Sequence, residues 1–126
     1  MSAADDRKRA EQVYRDYFAA LGRGDMDAVA DQFTFPAAFK GFLDDVITAG
    51  DKAALLAAYR RLIAAAPKAH HSKLGRVEVS DVRPGVYMLT AEYEQFDAAD
   101  ALVYAGKAVY FFKRLDDGEI RLFAVF

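Results

Sequence analysis

The feature that most constrains this chain is a change of period at Pro67. Beyond it, Leu74 to Ser80, Val86 to Phe96, Leu102 to Arg114 and Ile120 to Phe126 form four runs with strand-like patterning. They are separated by Asp81-Val-Arg-Pro-Gly85, Asp97-Ala-Ala-Asp100 and Asp116-Asp-Gly118, short segments built of turn-forming residues. Such spacings predict an antiparallel meander of four strands.

Before Pro67 the period is helical. From about Asp5 to Leu21 the apolar positions Ala10, Val13, Tyr14, Tyr17, Phe18 and Leu21 recur every three or four residues, and Gly22 and Gly24 stop the run. Asp25 is a natural N-cap for a second helix with Met26, Val29, Ala30 and Phe33 on its apolar face, which Pro36 would end. Residues 37 to 49 break the period and read as a short hairpin turning at Asp44-Asp45. A third helix opens at Gly50-Asp51, buries Leu55, Tyr59, Leu62 and Ile63, and closes at Pro67. Helices and strands are segregated along the chain, so the fold class is α+β, with a single domain over 1–126.

Composition narrows the function classes. A chain of 126 residues with 54% hydrophobic residues can bury roughly two thirds of its unfolded surface in one core. Seventeen basic against 19 acidic residues give a formal charge of -2, with no clustered positive charge to track a phosphate backbone, so nucleic acid is not an expected partner. Without Cys there is no disulfide framework or thiol nucleophile. No apolar run reaches a membrane-spanning length, and the polar start of the chain does not read as a signal peptide; a cytoplasmic protein without a membrane partner is expected.

The strand faces carry the next inference. Tyr87, Leu89, Ala91 and Tyr93 share one face of their strand, opposite Thr90, Glu92 and Glu94. In the last two strands both faces are apolar: Val103, Ala105, Val109 and Phe111 oppose Tyr104, Ala108, Tyr110 and Phe112, and Phe123 and Val125 oppose Ile120, Leu122, Ala124 and Phe126. Helices cover one side of such a sheet, so a homodimer through the outer face is expected.

The stretch Tyr17-Phe-Ala-Ala-Leu-Gly-Arg-Gly-Asp-Met-Asp-Ala-Val-Ala-Asp-Gln-Phe33 resembles the opening of the nuclear transport factor 2-like superfamily, which includes ketosteroid isomerase and the SnoaL-like cyclases. Lys113-Arg-Leu-Asp-Asp-Gly-Glu-Ile120 is similar to the last hairpin of such proteins. The resemblance implies a cone-shaped, cystatin-like fold: three N-terminal helices and a short hairpin packed on a strongly curved antiparallel sheet around an apolar cavity. It also implies a small-molecule binder or a cofactor-independent isomerase, cyclase or dehydratase. Against ketosteroid isomerase itself, Tyr17 matches the first-helix tyrosine, but the aspartate base falls at Gly41 and the protonated late-strand aspartate near Phe111. Neither residue ionises, so that activity is not expected. The competing expectation is a noncatalytic homodimeric assembly protein with a filled interior.

Seven Tyr and ten Phe suit a cavity for an apolar ring compound, and its expected lining is Tyr17, Phe33, Phe39, Tyr59, Tyr87, Tyr93, Phe111 and Phe123. Tyr17 and Tyr93 are the foremost polar contacts, because a buried phenol needs a partner. His70 and His71 are the one candidate base pair; as neighbours on an extended segment they are expected to point apart and stand in solvent. No spacing suggests a metal site, and no phosphate-cradling glycine loop, dinucleotide fingerprint or serine elbow suggests a cofactor or covalent chemistry.

Overall fold

The structure, a computed structural model, describes residues 2–126. In chain order its elements are α1 (Ala3–Gly22), α2 (Met26–Asp31), β1 (Phe33–Phe39), β2 (Ile47–Ala49), α3 (Lys52–Ala65), β3 (His71–Arg83), β4 (Val86–Phe96), β5 (Leu102–Arg114) and β6 (Ile120–Val125). One open sheet runs β2-β1-β6-β5-β4-β3. The helices pack on its inner face, giving the expected α+β architecture.

Each helix starts where side-chain chemistry satisfies its free backbone N–H groups. The Ser2 hydroxyl accepts from the Asp5 N–H at 3.2 Å while the Asp5 carboxylate accepts from the Ser2 backbone, a reciprocal cap for α1. Asp25 and Asp51 accept from the N–H groups of Ala28 and Ala54 to cap α2 and α3. Gly24, at φ 73°, makes the reversal between α1 and α2 in a conformation few other residues adopt. Along α1, Ala10, Tyr14, Tyr17 and Ala20 are buried against Leu89, Phe112, Ile120 and Leu122 of the sheet.

The middle of the chain departs from expectation. α2 ends at Asp31, and Phe33 opens β1 instead of closing a helix face. Phe33 follows Val29 at a helical interval, which the strand periodicity of Phe33, Ala37 and Phe39 overrides. Pro36 lies inside β1, where the register with β6 is interrupted between Phe33 and Ala38, so its missing N–H removes no ladder bond. The hairpin partner of β1 is the three-residue β2, paired Ala37 to Ala49, and Asp44-Asp45 belong to a wider loop rather than a tight turn. β1 also runs parallel to β6, so the six-stranded sheet is mixed, not wholly antiparallel.

From β3 onward the meander keeps the expected order, but β3 runs from His71 to Arg83, so Asp81 to Arg83, expected in the turn, pair with β4 as strand. A register shift between β5 and β6 sets Phe111 opposite Ala124 and Phe112 opposite Leu122, leaving Phe123 as the extra residue of a bulge. The bulge resets the alternation of β6, so Leu122 and Val125 are both buried. No helix among the described residues is long and apolar enough to cross a membrane.

Candidate functional site

β5 outruns β6: its pairing with the last strand begins only at Val109 and Tyr110, leaving Leu102 to Ala108 without a neighbour on that side. In the angle between this free stretch, α1, the end of α3 and the segment leading to β3 lies a recess of about 720 Å³, open on one side. Six of the seven tyrosines line it: Tyr14 and Tyr17 from α1, Tyr59 from α3, Tyr93 from β4, and Tyr104 and Tyr110 from β5.

Four of these phenols, Tyr14, Tyr17, Tyr59 and Tyr110, form one connected array, and Tyr93 and Tyr104 form a pair. The Tyr17 and Tyr59 hydroxyls lie 2.7 Å apart in a buried hydrogen bond. Tyr110 packs on Tyr14 with ring centroids 4.7 Å apart and meets Tyr17 edge-on at 5.7 Å. Nearer the opening, Tyr104 contacts Tyr93 at 5.9 Å and Phe42 at 5.2 Å. Tyr104 lies over Gly106, where a Cβ would come within 2.4 Å of its ring, so the missing side chain is what lets the ring lie flat.

Burial shapes the acid–base character of the array. It pushes the Tyr14 phenol up to about 12, the Tyr110 hydroxyl offsetting part of the shift. Tyr17 and Tyr110 are raised further by burial and by neighbouring phenols, and burial also raises Tyr59 against the hydrogen bond from Tyr17. At neutral pH every one of them keeps its proton. The recess therefore offers O–H donors in an apolar setting, where hydrogen bonds are stronger than in water. Its wall also carries one orphan: the Gln95 Oε1 is buried with no partner among the described residues.

Of the residues expected to line a cavity, Tyr17, Tyr59 and Tyr93 are brought together here, and the others are not. Phe33 and Phe39 fill the core between β1 and α3, Phe39 being wholly buried. Tyr87 is at the far end of the sheet, its hydroxyl donating to the buried Asp6 carboxylate at 2.6 Å. Phe111 and Phe123 pack on each other on the outer face, because β4 sets its inward residues Leu89 and Tyr87 opposite Tyr110 and Phe112. Sequence reasoning missed Tyr14, Tyr104, Tyr110 and Gln95. Counting register back from the Asp97–Asp100 turn, where Phe96 pairs with Leu102, would set Tyr104 beside Glu94 and Tyr110 beside Met88 on the outer face; the register shift between Gln95 and Phe96 is what brings Tyr104 opposite Gln95 and Tyr110 opposite Leu89.

The histidine pair also differs from expectation. His70 precedes β3 and bends away from the strand, so the two imidazoles converge, Nδ1 to Nδ1 at 3.1 Å with planes 87° apart. Both rings remain exposed, yet both line the recess.

No protein-family model and no curated protein matches the sequence. Solved structures do. A ketosteroid isomerase-like protein from Erwinia carotovora atroseptica superposes with a TM-score of 0.75 at 14% identity, over 95% of this chain and 92% of that one. An NTF2-like protein of unknown function from Pseudomonas putida gives 0.76 at 10% identity, over 99% and 87%. A protein of unknown function with a cystatin-like fold from Nostoc punctiforme gives 0.75 at 11% identity, over 99% and 90%. The chain has the nuclear transport factor 2-like fold. Within that fold Gly41 does line the recess, whereas Phe111 is on the opposite side of the sheet. Among the described residues no Asp or Glu side chain lines the recess, so the carboxylates of a ketosteroid isomerase site have no counterpart in its wall.

Proposed function

We propose that this protein binds a small, mainly apolar ring compound in the tyrosine-lined recess. The ligand would carry an oxygen that accepts from the phenols and a donor that reaches Gln95. The observation that carries this reading is the placement of six tyrosines around one opening. Phenylalanine fills a core equally well, and each buried hydroxyl costs free energy unless bonded, so concentrating phenols at a recess is costly without a partner for them. A volume of about 720 Å³ falls in the range of small-molecule sites. Neutral phenols aimed at a carbonyl or enolate oxygen support proton-transfer chemistry without a cofactor, the class of isomerases, cyclases and dehydratases. The neighbour from Erwinia is called ketosteroid isomerase-like; the lack of a carboxylate in the wall argues against the same chemistry here.

Native mass spectrometry of protein purified without denaturation tests the reading, together with thermal unfolding in the presence of naphthols and hydroxylated polycyclic ketones. We expect a co-purifying compound, or stabilisation by about 2.7 kcal/mol at a hundredfold excess over the dissociation constant. Bare protein whose unfolding no ring compound moves would leave the assembly reading in its place.

A further inference from the structure

We propose that His70 is the proton acceptor at the mouth of the recess and that His71 and Asp100 position it. The proposal rests on the recess being a ligand site. Two contacts in series carry it. The Asp100 carboxylate lies 3.0 Å from the His71 Nε2, and the His71 Nδ1 lies 3.1 Å from the His70 Nδ1. His71 is held in plane by stacking on Phe96, with centroids 5.4 Å apart and rings 18° from parallel, while the His70 N–H donates to the Phe96 carbonyl at 2.8 Å. Asp100 is presented by the β4–β5 turn, whose Asp97 carboxylate accepts from the N–H groups of Ala99 and Ala101.

The protons in this series follow from what each atom can do. A carboxylate only accepts, so the His71 Nε2 carries a hydrogen. The Nδ1 of neutral His71 is then a lone pair, and the contact between the two Nδ1 atoms requires the hydrogen to be on His70. Neutral His70 is therefore the Nδ1–H form, and its Nε2 is a bare lone pair with no hydrogen-bond partner among the described residues. A second-neighbour carboxylate thus selects which nitrogen of His70 accepts, the role such orienting groups play for catalytic and metal-bound imidazoles. When the Nε2 takes a proton from a bound ligand, an N–H bond forms there and the ligand keeps the electron pair of the bond it loses. The hydrogen on the His70 Nδ1 can cross to the His71 Nδ1, which leaves the imidazolium charge beside Asp100. The phenols cannot take this part, since they hold their protons. The recess then has phenol donors and the Gln95 Oε1 in its wall and a proton acceptor at its mouth.

The test uses the full chain with 15N-labelled histidine and 4-nitrophenol as the probe. Long-range 1H–15N correlation above the histidine pKa values should show His71 as the Nε2–H form and His70 as the Nδ1–H form. Asp100→Gly, which keeps a backbone at φ 61° comfortable, should return His70 to a mainly Nε2–H population. Below its own pKa, bound 4-nitrophenol should show the phenolate band in the wild type, and about tenfold less of it in His70→Gln at equal occupancy. A wild-type His70 in the Nε2–H form, tautomers indifferent to Asp100→Gly, or equal phenolate in His70→Gln would overturn the proposal. A probe that fails to bind while the tautomers stand as stated would count against the ligand site, not against the positioning of His70.

Discussion

The Tyr17 hydroxyl on α1 and the Tyr59 hydroxyl on α3 lie 2.7 Å apart, a buried hydrogen bond that ties the two helices together. Either residue as Phe leaves the other phenol buried without this partner, which costs about 1–3 kcal/mol. Removing both hydroxyls removes the orphan as well. The double variant Tyr17→Phe/Tyr59→Phe should therefore lose less stability than the two single losses added together, as read by urea unfolding. Strict additivity would mean that the pair is not a coupled unit.

Alkaline titration offers a second check on the array. Tyrosines in the unfolded chain ionise near 10.0, while burial holds Tyr14 up to about 12 and Tyr17, Tyr59 and Tyr110 higher. Their folded pKa values are raised, so the unfolded state loses protons first as pH climbs. Stability is thus unaffected below pH 10 and falls from there toward and beyond pH 12. Tyrosinate absorbance and circular dichroism should change together in that window. Full ionisation of all seven phenols near pH 10 with native dichroism retained would contradict the burial.

Much of the fold was legible because local signals agreed with the global arrangement. The Asp25 and Asp51 caps, the Gly24 reversal and the turn residues between Phe96 and Leu102 act within a few residues, and the structure uses them where they stand. What could not be read depends on partners far away in sequence. Phe33 keeps a helical interval to Val29, and only its parallel pairing with Leu122 makes it a strand residue. Phe111 and Tyr110 are equally apolar neighbours, and their assignment to outside and inside is decided across the sheet by Leu89. The His70–His71 convergence depends on a backbone bend that two adjacent letters do not encode.

A buried charge at the other end of α1 predicts an asymmetry. Asp6 is fully buried, and its Oδ2 accepts from Tyr87 at 2.6 Å and from the half-exposed Arg114 at 2.8 Å, while its Oδ1 has no partner among the described residues. Arg114→Leu leaves a carboxylate in the interior with one neutral donor, and a loss of about 3 kcal/mol is expected. Asp6→Asn keeps an acceptor for Tyr87 and leaves Arg114 free to reach water, so its loss should be the smaller. Denaturant midpoints of the two variants decide; the reverse order would show that the arginine, rather than the carboxylate, is the costlier group to strand.

The outer face of the sheet gives the last expectation. Phe111 touches both Phe123 and Phe126 there at centroid distances of 6.2 Å, and Val103 is 42% exposed on the same strand. Among the described residues the helices occupy the inner side only. A second copy is the expected occupant, because the face carries both signs at its rim: Glu92 of β4 and Lys107 of β5, 4.0 Å apart, can each meet the other's counterpart across a two-fold axis. Sedimentation at micromolar concentration should then return twice 14.0 kDa, and Phe111→Asp should return a single copy with its inner core intact. A wild type that sediments as one chain would mean that these phenylalanines face water, and that the apolar outer surface has some other purpose than pairing.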